Sequence, residues 1–205
     1  MDAQWENNRV AVSGWVQEAP AYSHTLYGEA FFPMLLTVPR LSGAEDVLPV
    51  TFGERGVSAF PALGDALSVT GQLRSYNRHE GGKSRLVVTL FARQIQPQPE
   101  DAAFENSVEL MGYVCKPPIY RTTPFLREIT DLLIAVNRSY HKSDYLPVIA
   151  WGRNARFASG LTVGQRVAVT GRIQSRVYQK TQESGETYLR TVYEVSATTI
   201  TQLDE

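Results

Sequence analysis

Apolar positions along this chain fall mostly two residues apart. Val108, Leu110 and Gly112 alternate with Glu109 and Met111, and Val167-Ala168-Val169-Thr170-Gly171-Arg172-Ile173 continues the β-branched habit. That period puts every second side chain on one face of an extended chain, so these stretches predict strands. Asn154-Ala155-Arg156-Phe157-Ala158, stopped by Ser159-Gly160, predicts a short helix, with residues 54–60 as its counterpart. Residues 126–133 also carry helix-like spacing, but their counterpart, residues 28–35, contains Gly28 and Pro33, which favours a strand. Ser184-Gly185, between the strand-like runs 172–178 and 188–195, predicts the turn of a long hairpin, and Gly81-Gly82 a second one.

The two halves repeat each other. At an offset of 98, Val10, Val12, Gly14, Trp15, Val16, Pro20 and Tyr22 fall on Val108, Leu110, Gly112, Tyr113, Val114, Pro118 and Tyr120. Leu35, Val38 and Arg40 then fall on Leu133, Val136 and Arg138, and Leu48-Pro49-Val50 on Leu146-Pro147-Val148. Phe52-Gly53 is matched to Trp151-Gly152 one residue later, and Val69-Thr70-Gly71 lies on Val169-Thr170-Gly171. Between the copies, Gln96-Pro97-Gln98-Pro99 interrupts strand and helix alike, because proline lacks the donor either would need. The expected organisation is an N-terminal unit at 1–96, a linker at 97–104 and a C-terminal unit at 105–203, with the short linker packing the two together. Strand, strand, strand, short helix and hairpin in about 100 residues is the element order of an OB barrel. The predicted fold is therefore all-β: two consecutive five-stranded OB barrels, each with one short helix.

Charge adds an asymmetry. The 205 residues carry 20 Lys+Arg and 21 Asp+Glu, so no whole-chain field points to a polyanion. From Glu105 onward, however, 12 basic residues face 10 acidic ones, while residues 1–104 hold 8 against 11. The single cysteine, Cys115, excludes an intramolecular disulfide and fits a reducing cytoplasm. The polar, acidic Met1-Asp2-Ala3-Gln4-Trp5-Glu6 is unlike a signal peptide, and no apolar run approaches spanning length. His24, His79 and His141 lack partners at any catalytic or metal-ligating spacing. The reading is a non-enzyme with no catalytic residues, metal or cofactor.

Binding of single strands needs aromatic faces for bases with basic side chains between them. The second copy supplies both. Tyr140, Tyr145, Trp151 and Tyr178 are the candidate stacking residues, and Tyr145, Pro147, Ile149 and Trp151 share one strand face. Arg138, Lys142, Arg153, Arg156, Arg172, Arg176 and Lys180 are the candidate phosphate contacts. Any one aromatic in a barrel is by default a core residue, and any one cation an ordinary solvated charge; the polar, loop-adjacent settings of Tyr140 and Tyr178 weigh toward surface function. The first copy is poorer, with Phe52, Arg74, Tyr76 and Arg78 as a weaker site, and reads as a structural or dimer-forming partner whose strand edges would carry the dimer contact.

Val108-Glu109-Leu110-Met111-Gly112, Leu133-Ile134-Ala135-Val136-Asn137-Arg138, Val148-Ile149-Ala150-Trp151-Gly152 and Gly171-Arg172-Ile173-Gln174-Ser175-Arg176-Val177-Tyr178, in order and register, resemble the bacterial single-stranded DNA-binding proteins. The resemblance implies sequence-independent binding of single-stranded DNA in replication, recombination or repair, in the cytoplasm at the nucleoid. It places the family's stacking positions on Tyr140, Tyr145, Trp151 and Tyr178, and implies four-barrel assemblies, hence a homodimer here. The family's acidic, partner-recruiting tail has no counterpart in Thr201-Gln202-Leu203-Asp204-Glu205. Two other readings stand beside this one. An OB-fold assembly module, of the primosome-accessory kind, would bind partners with weak or no nucleic-acid binding. Single-stranded RNA would use the same stacking physics.

Overall fold

The structure is a computed structural model that describes residues 7–80, 82–181, 185 and 187–204. The first half runs β1 (Asn8–Glu18), a short β2 (His24–Leu26), β3 (Glu29–Pro39), β4 (Glu45–Gly53), a 3-10 turn (Glu54–Gly56), β5 (Ala66–Glu80) and β6 (Lys83–Pro97). The second repeats it with β7 (Asn106–Val114), β8 (Ile119–Thr122), β9 (Glu128–Arg138), β10 (Lys142–Trp151), α1 (Arg153–Ser159), β11 (Arg166–Thr181) and β12 (Thr187–Gln202). Residues 128–138 are a strand, as their counterpart implied, and α1 covers the predicted helix. Residues 54–60 form only the 3-10 turn. Gly56 and β-branched Val57 interrupt that segment, and Pro61 biases Phe60 toward extended backbone. The predicted turns at Ser184-Gly185 and Gly81-Gly82 rest partly on Gly81 and Ser184, which lie outside the described residues; Gly82 and Gly185 both take positive φ.

In each half β1 or β7 pairs with two partners, which closes a five-stranded barrel: β1–β3–β4–β6–β5 and β7–β9–β10–β12–β11. Closure needs the strand to cross from one partner to the next, and the crossing point is a glycine in both copies. A Cβ on Gly14 would lie 2.1 Å from the Thr37 carbonyl oxygen, and one on Gly112 2.4 Å from that of Ala135. Inside, the period-two residues meet as expected: Val10, Val12, Leu36, Val50 and Val69 in one barrel, and Val108, Leu110, Ile134, Val148 and Val169 in the other, are essentially inaccessible. The short strands β2 and β8 add to the outer edges of β3 and β9 and bury none of their own side chains.

The barrels join edge to edge. β1 and β7 pair antiparallel with Val10 opposite Val108, so the sheet runs through all 12 strands and the two copies are related by a pseudo-twofold axis through that pair. The hydrogen bonds obey the same symmetry. The amide side chain of Asn8 clasps the backbone of Leu73, and that of Asn106 clasps Ile173.

The long hairpin arms then reach across. The Ser75 backbone N–H donates to Asp144 Oδ1 of the other barrel at 2.7 Å, and the Ser175 N–H donates to Asp46 Oδ1 at 2.6 Å. Both carboxylates are completely buried and neutralised by arginine: Asp46 by Arg40, with Arg172 at 3.8 Å, and Asp144 by Arg74 at 3.0 Å, with Arg138 at 3.7 Å. A buried carboxylate is tolerable only when paired and hydrogen-bonded in this way. Strand edges of the first barrel, expected to serve a dimer, are thus partly spent within the chain: β1 is covered by β7.

Candidate nucleic-acid interface

On β10 Asp144, Leu146, Val148 and Ala150 face inward, while Tyr145 (44% exposed) and Trp151 (37% exposed) stand on the outer face, with half-buried Pro147 and buried Ile149 between them. The core behind holds both rings on a rigid strand rather than a loop. Trp151 is also oriented: its indole N–H donates to Ser196 Oγ on β12 at 3.2 Å, which fixes the ring plane and leaves its faces for an incoming partner.

Tyr140 sits at the tip of the β9–β10 turn, 90% exposed, beside a cleft of about 410 Å3 lined by Asn137, Arg138, His141, Lys142 and Ser143. Tyr140 and His141 both have left-handed backbone, with φ of 61° and 55°. That conformation costs a non-glycine residue about 1 kcal/mol each, and it projects the phenol into solvent. Tyr178 is half-buried on the β11 arm, with the guanidinium carbons of Arg176 and Arg190 at 5.6 and 5.9 Å from its ring centroid. Positive charge is thereby gathered at a ring face, an arrangement chemically able to take a planar ring together with an anion.

The seven expected phosphate contacts divide by what already holds them. Lys142 and Arg153 are exposed and have no ion pair among the described residues. Arg156 is committed to Glu128 by a two-oxygen contact at 2.8 and 2.9 Å. The Arg156 guanidinium, helped by a hydrogen bond from Tyr120, holds the Glu128 carboxyl below its ordinary range. Arg176 leans on Glu194 at 3.4 Å. Arg138 and Arg172 stand against the interbarrel carboxylates, and each has a guanidinium nitrogen that is buried without a hydrogen-bond partner. The side chain of Lys180 lies outside the described residues. Acceptors therefore interleave with the donors on this face, as Asp131, held by Arg121 at 2.6 Å, also illustrates.

In the first barrel the expected site changes. Phe52 is wholly buried, packed on Phe32 and Phe60 at ring distances of 5.8 and 5.6 Å, and offers no face to a base. The cause is register. Val50 pairs with Leu90 as Val148 pairs with Val195, so the offset of 98 holds to the strand ends and the counterpart of Trp151 is Gly53, not Phe52. A one-residue slip in a strand exchanges its two faces. Arg74 is likewise occupied, by Asp144 and by Gln72 Oε1 at 2.7 Å. Tyr76 remains 53% exposed, and Arg78 is exposed on the same arm. Neighbouring Ser75 accepts the Tyr145 backbone N–H at 2.6 Å, so Tyr76 stands next to the second barrel's aromatic face rather than on a separate site. Sequence reasoning missed the carboxylates Asp46 and Asp144 and the cation Arg190. The aspartates carried a signal, because they match each other at the same offset of 98.

Comparison with known proteins places this geometry. Residues 105–203 match the single-strand binding protein family. Over 80 residues the chain is 36% identical to a single-stranded DNA-binding protein of Caldanaerobacter subterraneus, a match covering 36% of this chain and 53% of that protein. Over 84 residues it is 32% identical to the single-stranded DNA-binding protein A of Bacillus subtilis, covering 38% and 49%. The chain thus spans about half the length of the curated relatives it matches. The wild-type single-stranded DNA-binding protein of Thermus aquaticus superposes with a TM-score of 0.76 at 24% identity, over 97% of this chain and 93% of that one. That likeness establishes the tandem OB fold for both halves together.

Proposed function

We propose, on the match of residues 105–203 to the single-strand binding protein family, that this chain binds single-stranded DNA without sequence preference, in replication, recombination or repair, and does so without catalysis. The observation that carries the reading is the pair Tyr145 and Trp151, exposed on one face of β10 and backed by a fully packed core. Bases stack on these rings and on Tyr140 and Tyr178, while Lys142, Arg153 and the arginines of the face meet the phosphates between them. Stacking is indifferent to base identity because every base has a π-face. The ion pairs Arg156–Glu128 and Arg176–Glu194 must loosen for a phosphate to compete, so the acidic neighbours set a ceiling on affinity.

Two copies, four barrels in all, form the working unit, and the place of work is the cytoplasm; no helix among the described residues is long and apolar enough to cross a membrane. Light scattering of the purified chain tests the dimer. The domains act unequally, 1–96 as support and 105–203 as the main binding unit, joined through 97–104. One observation favours the rival reading of an assembly module: the first barrel presents Gly53 where the second presents Trp151.

Fluorescence-anisotropy titration of labelled oligo-dT, against duplex DNA and oligo-U at two salt concentrations, separates the readings. Oligo-dT binding that exceeds duplex binding and weakens with salt supports the proposal. Equal preference for oligo-U shifts it to RNA, and no binding at low salt leaves the assembly module.

A further inference from the structure

The large ring that Trp151 supplies to the second barrel has a counterpart in the first, but on a different strand. Around Trp151 the cross-strand row reads Arg121 on β8, Ile129 on β9 and Trp151 on β10, with Ser196 on β12 beside Ile149. The matching row of the first barrel reads His24 on β2, Phe31 on β3 and Gly53 on β4, with Phe91 on β6 beside Thr51. Trp151 and Ser196 have thus become Gly53 and Phe91, a glycine in place of the ring and a ring in place of the serine. Because β3 and β6 both flank β4, side chains on them start two strand spacings apart, about 9–10 Å. With no side chain on Gly53 to stand between them, the Phe31 and Phe91 rings close to 6.0 Å.

His24 extends the row to the sheet edge, stacked on Phe31 at 5.2 Å with the planes 15° apart, and Ser23 Oγ lies 3.0 Å from its Nδ1. His24 is exposed and both phenylalanines are half-buried. At the other end Phe91 pairs with Gln72, whose side-chain oxygen accepts from Arg74 at 2.7 Å and from Arg93 at 3.5 Å. Arg74 also reaches Asp144, the neighbour of Tyr145, so the row runs from edge strand β2 toward the second barrel's aromatic face. The Glu29 carboxylate stands within it, in the space the missing side chain leaves: a Cβ on Gly53 would collide with it. Glu29 is half-buried and has no hydrogen bond or ion pair among the described residues, whereas nearby Glu54 is engaged by the Ala30 N–H.

We infer that this row is a second base-binding site, in which the Glu29 carboxylate favours bases that carry an amino group. The inference rests on the single-strand reading and goes beyond it, because stacking alone is indifferent to base identity. Bases stack on the His24 and Phe91 rings. The carboxylate then accepts from an exocyclic amino group, as carboxylates do from cytosine N4, while thymine offers a carbonyl oxygen at the same place and is disfavoured. A half-buried acceptor without a partner makes that difference count, since it gains a hydrogen bond with one base and meets repulsion with the other. An aromatic row beside a carboxylate also suits a cationic side chain. Arg74 and Arg93 along the same row repel such a ligand and attract the phosphates of a strand, which decides for nucleic acid.

The test is anisotropy titration of the full chain with labelled oligo-dC and oligo-dT of equal length, comparing the unaltered protein with Phe91→Ser and Glu29→Gln. Phe91→Ser installs the residue that the second barrel carries at the same place, and its thermal midpoint checks the fold. It is expected to weaken oligo-dC binding at least about fivefold, the effect of one lost stacking partner. Glu29→Gln is expected to lower the ratio of oligo-dC to oligo-dT affinity at least about fivefold, because an amide also donates to the thymine oxygen; a merely structural role would leave that ratio alone. The His24 imidazole signals of the unaltered chain should shift saturably with oligo-dC. An unchanged ratio in Glu29→Gln, or full affinity in a folded Phe91→Ser variant, overturns the inference. Shifts of His24 with an arginine-bearing peptide but with neither oligonucleotide give the row to a cationic partner and overturn it as well. If neither oligonucleotide binds the unaltered chain at low salt, the single-strand reading falls and this inference with it. If Trp151→Ala weakens binding while Phe91→Ser does not, that reading stands and only the second site is lost.

Discussion

Asp46 is wholly buried yet charged, and its surroundings say how. Burial alone would push its carboxyl up; hydrogen bonds from the Arg40 guanidinium and from the Ser175 N–H and hydroxyl outweigh that and hold it below the ordinary carboxylate range. A group depressed on folding stabilises the protein above its unfolded pKa of about 4, and the contribution is lost as pH falls through the folded value. Asp46→Asn is therefore expected to cost about 3 kcal/mol at neutral pH, since the amide removes the countercharge of Arg40 and puts an NH2 donor where one of its two accepting oxygens stood. Its deficit relative to the unaltered chain should shrink below about pH 4. Urea melts of both proteins at pH 7 and pH 3 check this; a deficit that grows in acid contradicts it. On the proposed binding face, Trp151→Ala and Tyr145→Ala should each cost about 1–3 kcal/mol of oligo-dT affinity, with no fall in thermal midpoint to match. The double variant Trp151→Ala with Tyr140→Ala, if it keeps full affinity while folded, removes the site assignment.

At the scale of elements, the strands were readable because their periodicity is the physics that buries them. Val108, Leu110, Val167 and Val169 alternate because one face of each strand meets the core. The bend was readable only as a glycine. β11 changes register against β12 between Thr170 and Gly171, as β5 does against β6 between Thr70 and Gly71. A Cβ on Gly171 would lie 2.2 Å from the Ser196 carbonyl oxygen, and Ser196 is the residue that receives the Trp151 indole. Gly171→Ala is expected to destabilise by about 1–3 kcal/mol and to disturb the Trp151 emission spectrum. A variant as stable as the parent would show that the bulge can absorb the methyl. Where sequence matching inserted one residue, between Val50 and Phe52, it exchanged a core ring for a surface one. Pattern similarity of two large aromatics favoured that insertion, and only the strand pairing, Val50 with Leu90 and Val148 with Val195, corrects it.

At the scale of the whole molecule, the two barrels are held by the β1–β7 pairing and by the crossed serine–aspartate bonds. Removing the first half would leave β7 with an open edge and Asp144 without the Ser75 N–H and Arg74. Residues 105–205 alone should therefore associate through that edge or lose stability; a fragment that is monomeric and as stable as the full chain by light scattering and urea melts would show that the seam contributes little. Binding should also carry a log–log salt slope of about −0.7 per phosphate contacted. Because Arg156 and Arg176 start in ion pairs, that slope is expected to be shallower than a count of seven cations suggests.

The sequence by itself determined the all-β class, the internal duplication, the position of the short helix and the aromatic face of β10, because each follows from local spacing or from repetition along one chain. The tertiary structure decided which cations are already spent, that Phe52 belongs to the core, and that Tyr76 adjoins the second barrel. It also revealed that two aspartates 98 residues apart carry matching contacts across the seam. Those facts depend on which strands become neighbours and in what register, and a register shift of one residue, too small to register in a hydrophobic pattern, reverses which side chains meet water.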